Sequence, residues 1–182
     1  VSEEVSRLHI MRGPLVVAVA VLALVAGCAG GPPPRAWAAE VCSVLNPWRA
    51  EINMLTEQAQ RQTQESTTPE QAKENLVRML QGARDASERA RGGLAKAGVP
   101  EVDGGDKIAE GFTSSLSKMR DAYGRAHDSV KALPTGEAST FYDQVRAAMA
   151  TLQQEYAASA LDTSDLNSTE LQAAFAEAPE CH

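Results

Sequence analysis

From residue 36 to residue 160, apolar side chains recur at alternating steps of three and four. That spacing lines them along one face of a 3.6-residue helix. The first stripe is Trp37, Val41, Leu45, Trp48, Ile52, Leu55 and Ala59, which predicts a helix from about 36 to 65. Pro47 lies inside it. A proline removes one backbone bond and crowds the preceding turn, so the expectation is one bent helix or a short helix followed by a long one. Glu65 to Gln71 forms a turn and then a helix start: Thr68 can cap, Pro69 suits the first position, and Gln71 completes a capping box. The second stripe is Ala72, Leu76, Met79, Ala83, Ala90, Leu94 and Ala97, with Gly92-Gly93 weakening its end. After the break at Gly98-Val99-Pro100 and Asp103 to Asp106, the third stripe is Ile108, Phe112, Leu116, Met119, Tyr123, Ala126, Val130 and Leu133. Pro134-Thr135-Gly136 closes it. The fourth is Phe141, Val145, Met149, Leu152, Tyr156 and Ala160, and Leu171, Ala174 and Phe175 predict a short last helix before Pro179.

Four amphipathic helices joined by short breaks predict an all-α fold, an antiparallel four-helix bundle with a short C-terminal fifth helix. Up-down-up-down order returns the chain to the end where it began. No run alternates with the period of a strand, and no repeat of fixed length is visible.

Ahead of these helices Leu15 to Ala26 is unbroken apolar sequence, about a dozen residues where a helical span needs about 20. Arg12 in front and small residues behind give it the layout of a signal peptide. Val25-Ala26-Gly27-Cys28 resembles the lipobox of bacterial lipoproteins. In that family the peptide is cut just before the cysteine, which is diacylated and often gains a third chain. The resemblance implies a signal peptide over 1–27, acylation of Cys28, and a protein lipid-anchored on the extracytoplasmic face of the cell membrane. The opening VSEEVSRLHI is polar and acidic, a poor front for a signal, so the start is either Met11 or an alternative codon at Val1. The Gly- and Pro-rich segment 28–35 reads as a short tether. Residues 36–182 are the helical bundle domain.

The net charge is −7. Residues 1–27 contain two acids and two bases, so their removal leaves it unchanged. An acidic domain is a poor partner for nucleic acid, where phosphate neutralisation supplies affinity. It also gives anionic lipid no electrostatic hold, so acyl chains must supply the anchorage. Aromatic residues make up only 4% of the chain, and so thin a core gains from an extra constraint. Beyond Cys28 the remaining cysteines are Cys42 and Cys181. Export to an oxidising compartment predicts that they pair, closing the two ends of the bundle domain on each other.

Chemistry is sparse. The histidines after residue 27 are His127 and His182, and no zinc-type spacing occurs. Asp162 to Asn167 lacks the ligand alternation and central glycine of a calcium loop; Asn167 or Ser168 as a helix cap explains it better. No nucleophile elbow, phosphate loop or dinucleotide fingerprint appears. Arg84, Arg89, Arg91 and Lys96 alternate with Asp85 and Glu88, as on a salt-laced exposed face. Arg120, Tyr123 and His127 share one side of the third helix, as a core tyrosine with two boundary residues or as a polar mouth. Trp37 and Trp48 lie on nearly one face, as core anchors or as part of a binding surface.

Lipobox, Gly/Pro segment, Ala-rich helices and a terminal cysteine pair together resemble small lipoproteins of actinobacterial type, a group that brings no catalytic residues to transfer. The expected function is a membrane-anchored envelope module that binds another envelope protein, without enzymatic activity, cofactor or metal. The alternative is a carrier or sensor of a small amphipathic ligand held between helices by Trp37, Trp48, Arg120, Tyr123 and His127.

Overall fold

The computed structural model describes residues 30–65, 68–159 and 168–182. Cys28 and the segment Asp162 to Asn167 lie outside the described residues. Five α-helices follow in order: α1 Pro34–Glu65, α2 Pro69–Ala97, α3 Gly105–Ala132, α4 Ala138–Ser159 and α5 Thr169–Glu177, then a single 3₁₀ turn at Pro179–Cys181. No strand occurs among the described residues. The fold is an antiparallel four-helix bundle with a short C-terminal helix. α2 and α3 form the central hairpin, α1 packs on α2, and α4 packs on α3. α5 and the terminal turn lie against α1.

The start signals act as their chemistry requires. Thr68 Oγ1 accepts from the Gln71 backbone N–H at 3.3 Å, with Pro69 at the first helical position. Ser168 Oγ accepts from Leu171 N–H at 3.2 Å and opens α5. At α4 the Glu137 carboxylate takes this role: it accepts from the backbone N–H of Thr140 at 2.9 Å and from both the Ser139 and Thr140 hydroxyls. These bonds, the Ser139 hydroxyl first, bring its pKa down to about 2.

Pro47 does not break α1. The helix continues from Pro34 to Glu65 with the proline inside it. The backbone bond lost there is outweighed by tertiary burial on both sides, with Val41 fully buried before it and Trp48 nearly so after it. The apolar side chains form two joined cores and a small third cluster of Ala38, Ala174 and Ala178. One core contains Trp37, Val41, Trp48, Leu94, Phe112 and Leu116; the other core contains Leu80, Tyr123, Val130 and Leu152. Ile52 and Tyr156 pack against both.

Candidate functional site

The first helix starts at Pro34, two residues earlier than its apolar stripe indicates. A proline suits this position, because its missing N–H would have no partner there. The residues before it are bound to the fold. Pro32 C=O accepts from the Glu101 backbone N–H at 3.0 Å, and Pro33 C=O accepts from Trp37 N–H at 3.0 Å. A side-chain carbon at Gly31 would lie 1.8 Å from the Val99 carbonyl oxygen, so only glycine fits. From the other side, Gly98 turns the chain at φ +75° and its C=O accepts from the Trp37 indole N–H at 3.0 Å. The part of segment 28–35 that the structure describes is therefore docked rather than slack. The glycine permits close approach, and the Pro32 carbonyl pairs with the α2–α3 loop while that of Pro33 pairs with the first turn of α1.

The same end of the bundle holds an aromatic cluster. Trp37 meets Phe112 edge-on at 5.3 Å and Phe175 at 6.0 Å, and the two phenylalanine rings stack at 6.1 Å. The Cys42–Cys181 disulfide is formed, as export chemistry predicts, across a sequence separation of 139 residues. It clasps the terminal turn to α1, aided by Asn46 Nδ2, which donates to Glu180 C=O at 2.6 Å. An open depression of about 590 Å³ lies between the α2–α3 loop and α5, lined by Glu101, Val102, Asp103, Ser168, Thr169 and Glu170. Among the described residues no three His, Cys, Asp or Glu side chains stand together as metal ligands. No helix among them is long and apolar enough to cross a membrane.

The residues singled out for ligand binding do not converge. Trp37 and Trp48 are buried, and both indole N–H groups are used internally: Trp48 Nε1–H donates to Ser87 Oγ at 3.1 Å. Tyr123 faces Tyr156 of α4, with ring centroids 6.3 Å apart, and burial pushes its phenol up to about 12. Arg120 turns the other way, towards α2, where it donates to Glu88 Oε2 at 2.8 Å and also pairs with Asp121. His127 is buried, with Nδ1 2.8 Å from Asp128 Oδ1.

Arg120 thus belongs to a clip between helices. Glu88 accepts from Arg91 one turn along α2 and from Arg120 on α3. These bonds, Arg91's first and Arg120's second, hold its carboxyl down at about 2. Arg89 reaches Glu51 on α1 at 2.6 Å, and Arg125 reaches Glu155 on α4 at 3.0 Å. Arg84, Arg89 and Arg91 of the basic set on α2 are each paired with an acid, as their alternation with acids implies.

The sequence stripes missed Ser87 and Ser115, both buried and both bonded across helices. Ser115 Oγ donates to Ser159 C=O. A serine carries no hydropathy signal. Its position four residues after Ala83 and three before Ala90 would have placed Ser87 on the stripe. Comparison of the chain with known families, with curated proteins and with solved structures gives no match in any of the three.

Proposed function

We propose that this chain is a lipid-anchored protein of the bacterial cell envelope, held on the extracytoplasmic face of the cell membrane through acylated Cys28, whose helical bundle binds another envelope protein. The observation that carries the reading is the sequence Val25-Ala26-Gly27-Cys28 at the end of the Leu15 to Ala26 apolar run. Two acyl chains hold a protein stably at a bilayer, where one is marginal. Binding by the surface is favoured over an interior ligand because the indole N–H groups of Trp37 and Trp48 already have internal partners and Tyr123 packs on Tyr156. Binding is favoured over catalysis because Glu88, Arg91, Arg120, Arg125 and Glu155 pair with one another, and the acids of the open depression, Glu101, Asp103 and Glu170, have no cationic side chain or thiol beside them among its described lining residues.

Expression of the full chain in a bacterium that processes lipoproteins tests the anchor. Intact-mass analysis of the membrane-extracted protein is expected to find a chain beginning at Cys28 and carrying diacylglyceryl, and Cys28→Ser is expected to abolish both changes. An unmodified Cys28 with residues 1–27 still attached refutes the anchor. Crosslinking in the native envelope tests the partner, and recovery of no reproducible adduct refutes that part.

A further inference from the structure

We infer that the domain stands on the bilayer with its Gly98–Gly105 end towards the lipid, because the docked Gly31-Pro32 segment fixes that end beside the anchor. This orientation rests on the acylation of Cys28 proposed above. Cys28 precedes Gly30 by two residues, and two residues span at most about 7 Å. Beyond that point no slack remains. Gly31 is closed against Val99 C=O and Pro32 C=O is bonded to Glu101 N–H. A lipid carried on Cys28 would therefore join the chain within two residues of Gly30, whose neighbours Gly31 and Pro32 are held at the α2–α3 loop. A Gly/Pro segment left free would instead let the domain tumble.

The surface at this end fits a covalently imposed contact with neutral headgroups. Val99, one of the exposed large apolar residues at 46% exposure, stands beside the docked segment. At this end the exposed acids Glu101, Asp103, Asp106, Glu170 and Glu177 outnumber the exposed bases Arg35, Lys96 and Lys107. This rim does not attract anionic lipid, so the docked peptide rather than surface charge sets the orientation. α3 then runs away from the bilayer for about 40 Å, given its 28 residues at 1.5 Å each. That raises the α3–α4 turn and the start of α2 to where a partner in the envelope can reach them.

The test uses the full chain in phosphatidylcholine vesicles containing an acceptor dye on the lipid headgroup. A donor fluorophore is attached through a clickable residue at Lys107, near the docked end, or at Gly136, in the α3–α4 turn. Energy transfer to the lipid is expected to be several-fold stronger from position 107. Gly31→Val, which forces the segment off Val99, is expected to bring the two positions close to equality while helical circular dichroism is retained. Should that variant lose its helical signal, a Gly-Ser insertion between Cys28 and Gly30 lengthens the tether without touching the docked contacts and is expected to give the same loss. Equal transfer from both positions in the parent chain, or stronger transfer from position 136, overturns the orientation. A second arm couples a maleimide lipid to Cys28, which remains the free thiol once Cys42 and Cys181 have paired. That arm reads the orientation without cellular acylation, so failure of the lipoprotein reading and failure of this inference give different results.

Discussion

Ser87 is a hydroxyl with no exposure to solvent, placed between two helices. It accepts from the Trp48 indole N–H at 3.1 Å and donates to Ala83 C=O at 2.8 Å. Each group would be an unpaired buried dipole without the other. A typical intramolecular hydrogen bond contributes about 1 kcal/mol net, but an orphaned buried donor costs about 1–3 kcal/mol. Ser87→Ala should therefore destabilise the protein by about 1–3 kcal/mol, as measured by urea denaturation. Adding Trp48→Phe should cost less than the sum of the two single changes, because no indole N–H is then left unpaired. Strict additivity of the two would show that the bond contributes nothing. The tryptophans of α1 could be placed on a helical face from sequence alone. Their partners could not, because Ser87 and Gly98 are 39 and 61 residues away from them.

At the scale of the element, the two adjacent glycines near the end of α2 have opposite surroundings. A side-chain carbon at Gly92 would meet nothing within 4 Å, while one at Gly93 would lie 3.0 Å from the Val44 methyl of α1. Alanine is favoured over glycine by about 1 kcal/mol in a helix interior. Gly92→Ala is expected to stabilise the protein by about that amount, seen as a raised Tm. Gly93→Ala should gain markedly less or lose stability, because Val44 must shift. Equal gains at both positions would contradict the close approach of α1 and α2. The sequence registers the helix weakness of both residues equally; only the neighbouring helix distinguishes them. Pro47 teaches the same lesson. Its local cost is readable in the sequence, but α1 runs through it because Val41 and Trp48 are buried on either side.

For the whole molecule the disulfide between Cys42 and Cys181 is the longest-range covalent constraint among the described residues. Chain entropy assigns a loop of this size about 5 kcal/mol, an upper figure because the reduced chain retains structure. Replacing both cysteines with serine should lower the midpoint of unfolding substantially. Hydrogen exchange should rise first in α5 and the terminal turn, since the bridge and the Asn46–Glu180 bond clasp that segment to α1. Uniform exchange across all five helices would contradict this order.

The sequence by itself determined the all-helical class, the apolar faces of the helices, the cap at Thr68 and the cysteine pair, and it narrowed the last cap to Asn167 or Ser168. Those follow from periodicity, local hydrogen-bonding chemistry and counting, none of which needs a distant neighbour. Tertiary structure alone decided that Arg120 and Tyr123 turn to different helices, that Glu88 gathers an arginine from α3 as well as one from its own helix, and that Gly31 to Pro33 are docked rather than free. Each of these depends on which backbone group or side chain arrives from another part of the chain. Hydrophobic pattern encodes a face but not the partner that comes to meet it.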